Sequence, residues 1–473
     1  MVYNRGNRRH FDEWQNKFGC KGWNYENVLR FFRKMENQTD PEYLRNGYHA
    51  VNGPITVTSD WQPMENGELP AFKDYIKSAN EAGYPTIDPN GPTQNGVTQF
   101  QHTISSGRKV TSSSAYLEPA INRTNLNIIA NAQVTRVNFE ENIAVSVTFR
   151  YQGMDYTVKA TDEIILSAGS IQSSQLLLLS GVGPREQLEK FNIKVISDRP
   201  VGENLHDHTN TILYFDVLNQ RDSYQSIELT VQNLYQEYIN DRGPLKMFPN
   251  AATYVSTSLN SDKEWPDIMT EMVRSNNHWN NLSQIPNLYQ SNQEEWVKYW
   301  KPYSGRRLMS FDVQHVQPRA RGSVKLNSND PFDNPLIDPN YFGDPRDVQA
   351  MVEGIQTVLK NLTSNLPFSA TTRFIDRQIP GCKKCNGSEP LCEEYLKCFI
   401  KQTSVPVYRQ VGTCRCGSSN DPAAVVDEQL RVIGTKNLRV IDGGIMPRVV
   451  NANSWIATAM IAEFGAEMIK QKQ

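Results

Sequence analysis

Between Tyr408 and Met468 the chain spells out a buried strand, a tight turn and a helix in close succession. Leu438-Arg439-Val440-Ile441 is a short apolar strand, and it ends on Asp442-Gly443-Gly444-Ile445-Met446-Pro447. A helix is expected from about residue 454 to 468. A strand that stops at an acid and two glycines just before a helix is how an α/β sheet presents helix-terminal N–H groups to a ligand. A similar unit lies upstream. Residues 163–167 read as a buried strand, Ala168-Gly169-Ser170 as its small-residue exit, and residues 170–180 as a helix whose leucines face the core and which Gly181 stops. Many α/β proteins share this geometry, so it constrains the fold more than the chemistry.

The rest of the chain alternates between helical and strand periodicity. Asn24 is placed to cap a helix over 24–35, and a second helix is expected over 69–82 with Gly83 past its end. Strands are expected at 126–129, 134–139, 144–149 and 156–159, then at 211–215, 309–316 and 322–326. Asp344 and Pro345 open a clean amphipathic helix. Residues 101–117 read, from composition alone, as a polar loop leading into a short helix.

A chain of 473 residues is long enough for two or three cores. Its net charge of −2 favours neither nucleic acid nor an anionic membrane. The longest apolar run, Leu176-Leu177-Leu178-Leu179, is far short of the roughly 18 residues that cross a bilayer. Six of the seven cysteines fall between Cys382 and Cys416. Cys382 and Cys385 are followed by Cys392 and Cys398, a spacing that fits no common structural zinc motif. His206-Asp207-His208 has metal-ligand residue types, but no further ligand set accompanies it, so no metal is expected. Acceptor sequences for N-glycosylation occur at Asn37, Asn122, Asn281, Asn361 and Asn386, which hints at secretion.

The wording of four passages resembles the glucose–methanol–choline (GMC) oxidoreductases, in particular their arthropod glucose-dehydrogenase-like branch. They are Tyr408-Arg409-Gln410-Val411-Gly412-Thr413-Cys414 with the strand and helix that follow, the run from Ser170 to Pro184, the Gly202–His208 hinge, and the opening Met1–Trp14. The run from Ser170 carries Ser174 where the family usually has proline. The resemblance implies an α/β plus α+β architecture: a Rossmann-like FAD-binding fold lacking its first βαβ segment, interleaved with a sheet-and-helix substrate domain. Residues 1–204 and 417–473 would form the FAD domain, and residues 205–416 the substrate domain. The Gly-x-Gly-x-x-Gly fingerprint that holds the pyrophosphate of FAD does not occur in this sequence, so the chain on its own is expected to hold FAD weakly.

The resemblance also implies the chemistry. A small alcohol or sugar would lose hydride to FAD and its hydroxyl proton to a base, and a quinone-like acceptor would reoxidise the flavin. Cofactor contacts would fall on Val2, Val134, Asp442, Gly443, Asn453, Trp455 and Thr458. The family's base is a histidine just before Val-Gly-Thr-Cys, and here that position is Arg409. Arginine stays protonated at any physiological pH, so it cannot take the proton. Asn453 matches the second catalytic position, where an amide can donate to the substrate oxygen; it is equally well placed to cap the final helix. Two outcomes stay open: an alcohol or sugar dehydrogenase, or a catalytically impaired homologue that binds a ligand or partner. Cysteines near Cys382, Cys398 and Cys414 also occur in the insect branch, which points to disulfides or buried thiols, and a disulfide cluster would agree with a secreted protein.

Overall fold

The structure is a computed structural model and describes residues 2–59, 70–218, 231–239, 250–274, 293–304, 306, 308–365, 368–383, 385 and 391–472. Asn281, Asn386 and Met1 lie outside the described residues.

Two cores organise these residues. The first is built on a parallel strand pair, Ile164–Leu166 beside Leu438–Val440. The helix Gly169–Leu179 leaves the first strand and is buried along Ser173–Leu179, which is why its leucines run together rather than fall on one stripe. The final helix, Ser454–Lys472, buries Ile456, Ala457, Met460 and Ile461 in the same core. The helix Tyr25–Met35 packs against it. Asn24 caps that helix by accepting from the Asn27 N–H at 3.2 Å, and Phe31 stacks on Phe464 with ring centroids 4.5 Å apart. A buried aromatic of this kind contributes about 1.5–3 kcal/mol. Gln133–Glu140, Ile143–Tyr151 and Met154–Lys159 form a three-stranded antiparallel sheet beside this core.

The second core lies under a seven-stranded antiparallel sheet. Its order is Thr372–Phe374, Thr209–Val217, Leu308–His315, Ile268–Arg274, Asn250–Val255 and Val97–Gln99, with Val405–Pro406 pairing beside the start of Thr209–Val217. Side chains alternate across such a sheet. Leu213, Phe215, Ala251, Val255, Ile268, Met272, Phe311 and Val313 face one way and are covered by two helices. Those helices are Pro70–Glu81, through Phe72 and Tyr75, and Pro345–Thr357, through Val348, Met351 and Ile355. Asp344 caps the latter by accepting from the Arg346 N–H at 2.9 Å, with Pro345 at its first position.

One expectation fails. Residues 126–129 are not a strand: they run irregularly between turns at 124–125 and 130–131, and Ile128 and Ile129 are exposed. β-branched residues favour a strand only where a neighbouring strand supplies hydrogen bonds and packing, and none lies beside this segment. Asn250–Val255 and Ile268–Arg274, by contrast, are central strands that the sequence pattern did not single out. The cysteines resolve as disulfides, Cys382–Cys398 and Cys385–Cys392, while Cys20, Cys414 and Cys416 are buried thiols. No described helix is long and apolar enough to cross a membrane.

Candidate active site

Asp442 ties the ends of the parallel pair together. One carboxylate oxygen accepts from the Gly169 N–H at 3.0 Å and the Ser173 hydroxyl at 2.6 Å. The other accepts from the Gly444 N–H at 2.7 Å. Burial pushes the Asp442 pKa up, against the pull of the bonds from Ser173, Gly444 and Gly169. Gly169 has φ +84°, with open space where a side chain would stand, and Ser167 and Ala168 before it are exposed. The start of that helix is thus partly exposed, with Asp442 rather than its own cap residue accepting from its first N–H.

The start of the final helix faces the same turn. A Cβ on Gly443 would stand 3.4 Å from the Thr458 hydroxyl, which itself donates to the Ser454 carbonyl at 3.0 Å. The Trp455 indole N–H donates to the Val2 carbonyl at 3.2 Å. The Asn453 side-chain oxygen is buried with no hydrogen-bond partner among the described residues. It therefore does not cap the helix, and the capping alternative for this residue falls. A buried carbonyl without a donor is costly unless a ligand supplies one. Val134 stands apart from these groups, 40% exposed near the start of its strand and opposite Phe149.

Arg409 joins this turn to the large sheet. Val405 and Pro406 pair with Asn210 and Thr209, Val411 exchanges backbone hydrogen bonds with His206, and the Cys414 N–H donates to the Gly444 carbonyl at 2.8 Å. Between those anchors the Arg409 N–H donates to Asp207 at 2.7 Å. The guanidinium, almost fully buried, donates to the Gln314 carbonyl oxygen at 2.9 Å and to His208 Nδ1 at 3.0 Å. Burial pulls the Arg409 pKa down, while Glu271, Asp207, Tyr254 and Asp312 act to raise it. Gly412 makes the passage possible: it has φ +99°, and a Cβ there would lie 2.5 Å from the Asn204 carbonyl and 2.7 Å from the His206 ring. Gly412→Ala is expected to cost about 1–3 kcal/mol or more, read as a fall in the urea midpoint of unfolding.

His206 and Asp207 spend their donors and acceptors inside the protein, whereas His208 Nε2 is buried with no hydrogen-bond partner among the described residues. His206 Nδ1 donates to the Asn204 carbonyl at 2.6 Å, and its Nε2 accepts from the Val449 N–H at 2.8 Å. Asp207 accepts from Arg409, Tyr341 and Gln410. With Nδ1 of His208 accepting from Arg409, its proton sits on Nε2, and burial followed by the Arg409 charge holds its pKa well below the ordinary value.

The face of the large sheet turned away from the helices carries a polar patch at its centre, beside Tyr214, Tyr254 and Met269. Glu271 stands directly across from Asp312 in adjacent strands, and Asn210 across from Gln314. Gln314 bridges, accepting from Arg409 and donating to Glu271 at 3.2 Å, and Asn250 donates to the other oxygen of Glu271. Burial raises the Glu271 pKa. Burial and then the Glu271 charge push Asp312 up to about 7. Sequence reasoning missed both acids. The signal existed in Phe311-Asp312-Val313-Gln314, where polar residues alternate within a strand the pattern did identify.

The structure thus gathers Asp442, Gly443, Thr458 and Asn453 around one turn, joins Val2 to Trp455, and ties Arg409 to that turn through the backbone. The N-terminal signature of the GMC oxidoreductases matches residues 1–210, and the C-terminal signature residues 318–462. Glucose dehydrogenase [FAD, quinone] of Drosophila pseudoobscura pseudoobscura is 32% identical over 486 aligned residues, covering 100% of this chain and 72% of the relative. Mitochondrial choline dehydrogenase of Homo sapiens is 31% identical, over 99% of this chain and 73% of that protein. Among solved structures, pyridoxine 4-oxidase from Mesorbium loti superposes with a TM-score of 0.78 at 23% identity, over 100% of this chain and 82% of that one, a likeness of fold. This chain belongs to the GMC oxidoreductase family, whose members bind FAD.

Proposed function

We propose that the protein oxidises the CH–OH group of a small alcohol or sugar and passes the electrons to a quinone-type acceptor. The observation that carries this reading is the run from Arg409 to Cys414. One end is bonded to the polar patch of the large sheet and the other to the Asp442–Gly444 turn, so substrate-facing and cofactor-facing groups meet there. The named activity of the glucose dehydrogenase relative supports the substrate and acceptor classes.

Asp442, Gly443, Asn453, Trp455, Thr458 and Val2 would hold the cofactor's ring end, and Val134 its far end. Bound FAD supplies the acceptor for the alcohol's hydride. The start of the final helix favours negative charge at its N-terminus. The Asn453 amide is free to donate to the substrate oxygen, and the fixed charge of Arg409 stabilises negative charge developing on that oxygen. The domain division at residues 204 and 416 is proposed with this reading, except that Pro70–Glu81 and Val97–Gln99 join the large sheet and its core. So is secretion, which the two disulfides favour.

One observation favours a second reading, a binding protein without oxidase chemistry: Arg409 occupies the proton-accepting position and is locked there by Gln314 and His208. The two readings separate in one experiment. Flavin absorbance is recorded on the FAD-loaded protein during anaerobic addition of glucose and simple alcohols. Bleaching is expected. If none of them bleaches the flavin, the oxidation reading is lost for those substrates; bleaching gained in Arg409→His would then place the defect at the base.

A further inference from the structure

We propose that the Glu271–Asp312 carboxyl pair is the proton acceptor of this site, standing in for the histidine that position 409 lacks; the assignment rests on the alcohol-oxidation reading above. The two acids are directly opposed in antiparallel strands, a register that brings Cβ atoms to about 4.5–5.5 Å. Gln314, two residues beyond Asp312 on the same face, connects the pair to Arg409. Both acids remain partly exposed, whereas Gln314, Asn210 and Asn250 around them are buried.

The charges decide what such a pair does. Two carboxyl groups face one cation, Arg409. The guanidinium balances one carboxylate, and like-charge repulsion across the strands leaves the other holding a proton near neutral pH. The other titratable groups around the pair do not compete. His208 has its accepting nitrogen bonded to Arg409, and burial takes His102 down to about 4. Burial raises Asp207 as well, but its oxygens are taken by the Arg409 N–H, Tyr341 and Gln410, and the Tyr254 hydroxyl is bonded to Asn4 and pushed up by burial. Asp312, up at about 7, is the group whose proton comes and goes at working pH.

A second observation points to a hydroxyl-bearing ligand on this face. The side-chain oxygen of Asn210 is buried and has no hydrogen-bond partner among the described residues, although the residue sits 3% exposed beside the pair. It is an acceptor that an alcohol or sugar O–H would satisfy. In the step itself the substrate O–H bond breaks and its proton goes to the deprotonated carboxylate. The C–H bond breaks with its electron pair, which leaves as hydride to FAD, and the carbonyl forms. The alcohol is oxidised and FAD reduced.

The test uses the FAD-loaded protein, Asp312→Asn and Glu271→Gln. pH-difference infrared spectra between about pH 5 and 9 are expected to show a carboxyl proton lost in the wild type that is not lost in Asp312→Asn. With glucose, ethanol and benzyl alcohol as probes, the anaerobic rate of flavin bleaching is expected to rise with pH through about 7 and level off. Asp312→Asn is expected to lower the rate by about 10²–10⁴-fold and remove that rise. The proposal alone is overturned if no carboxyl titrates in the window, or if both variants bleach at the wild-type rate with the wild-type pH profile. A wild type that titrates but bleaches with none of the three alcohols loses the oxidation reading, and the assignment with it. Should Asp312→Asn fail to fold, Glu271→Gln decides the kinetic arm, with the same rate loss expected.

Discussion

Glu36→Gln is expected to lower the free energy of unfolding by about 3–5 kcal/mol, the cost of breaking a buried ion pair by removing one partner. Arg5 and Glu36 are both fully buried and 2.6 Å apart. Arg5 also donates to the Tyr48 carbonyl at 2.8 Å, but a carbonyl does not balance its charge. Glu36 further engages His49 Nδ1 at 2.6 Å, and His49 Nε2 lies 2.8 Å from Asp88. Urea denaturation measures the loss. Replacing both residues by apolar ones, Arg5→Met with Glu36→Leu, is expected to cost less than Glu36→Gln alone, because no charge is then left without its partner.

The same network sets a pH window. Burial works against a charged His49 ring, but the bonds to Asp88 and Glu36 outweigh it and raise the pKa above the ordinary 6.5. Stability from that ring is complete below 6.5 and is lost as the pH rises through the folded value. Asp88 runs the other way. Burial would raise it, yet the bonds from His49, Asn90 and Asn46 bring it below the ordinary 3.8. Its contribution is present above 3.8 and is lost as the pH falls through the folded value. The network is therefore strongest between those two values. Above the upper one the wild type is expected to lose stability more steeply than Glu36→Gln, in which His49 has lost one carboxylate.

Asp442→Ala is expected to cost a comparable amount, about 3–5 kcal/mol, and to release the cofactor. The substitution strands the Gly169 and Gly444 N–H groups and the Ser173 hydroxyl, all of which donate to this carboxylate. Each buried polar group left unpaired costs about 1–3 kcal/mol, and three on one centre do not add in full. The carboxylate spans two strand ends, so its loss also frees the start of the Gly169–Leu179 helix from the Gly443–Ile445 turn. The measurement pairs urea unfolding with FAD affinity, read by equilibrium titration of flavin fluorescence. Asp442→Asn keeps one acceptor and is expected to fall between wild type and alanine on both scales. Equal FAD affinity in all three proteins would remove Asp442 from the cofactor site.

Local features are legible in the amino-acid order itself. The Asp442-Gly443-Gly444 turn, the Asn24 and Asp344 caps and the helix after Asn453 each depend on residues within a turn or two of one another, and each lies where the spacing puts it. Arg409 stands out in the same way, because its neighbours Val411, Gly412, Thr413 and Cys414 identify the position. Residues 126–129 mislead because their composition favours a strand and only the absence of a neighbouring strand rules it out. Asn453 has two equally good uses by sequence, and its unpartnered oxygen removes one of them, the cap.

The acids opposite Arg409 belong to another class. Glu271 and Asp312 lie 41 positions apart in strands whose register is set by the sheet as a whole, and a slip of one residue would turn either acid into the apolar core. The cysteines behave similarly: Cys382 and Cys385, close in sequence and metal-like in spacing, are divided between two disulfides. From residues alone, short-range hydrogen bonding and periodicity specify the elements, the Asp442–Gly444 turn and the missing histidine. Long-range strand pairing decides which charges face Arg409, because a side chain's electrostatic partners are chosen by distance in space and the sequence orders them only along the chain.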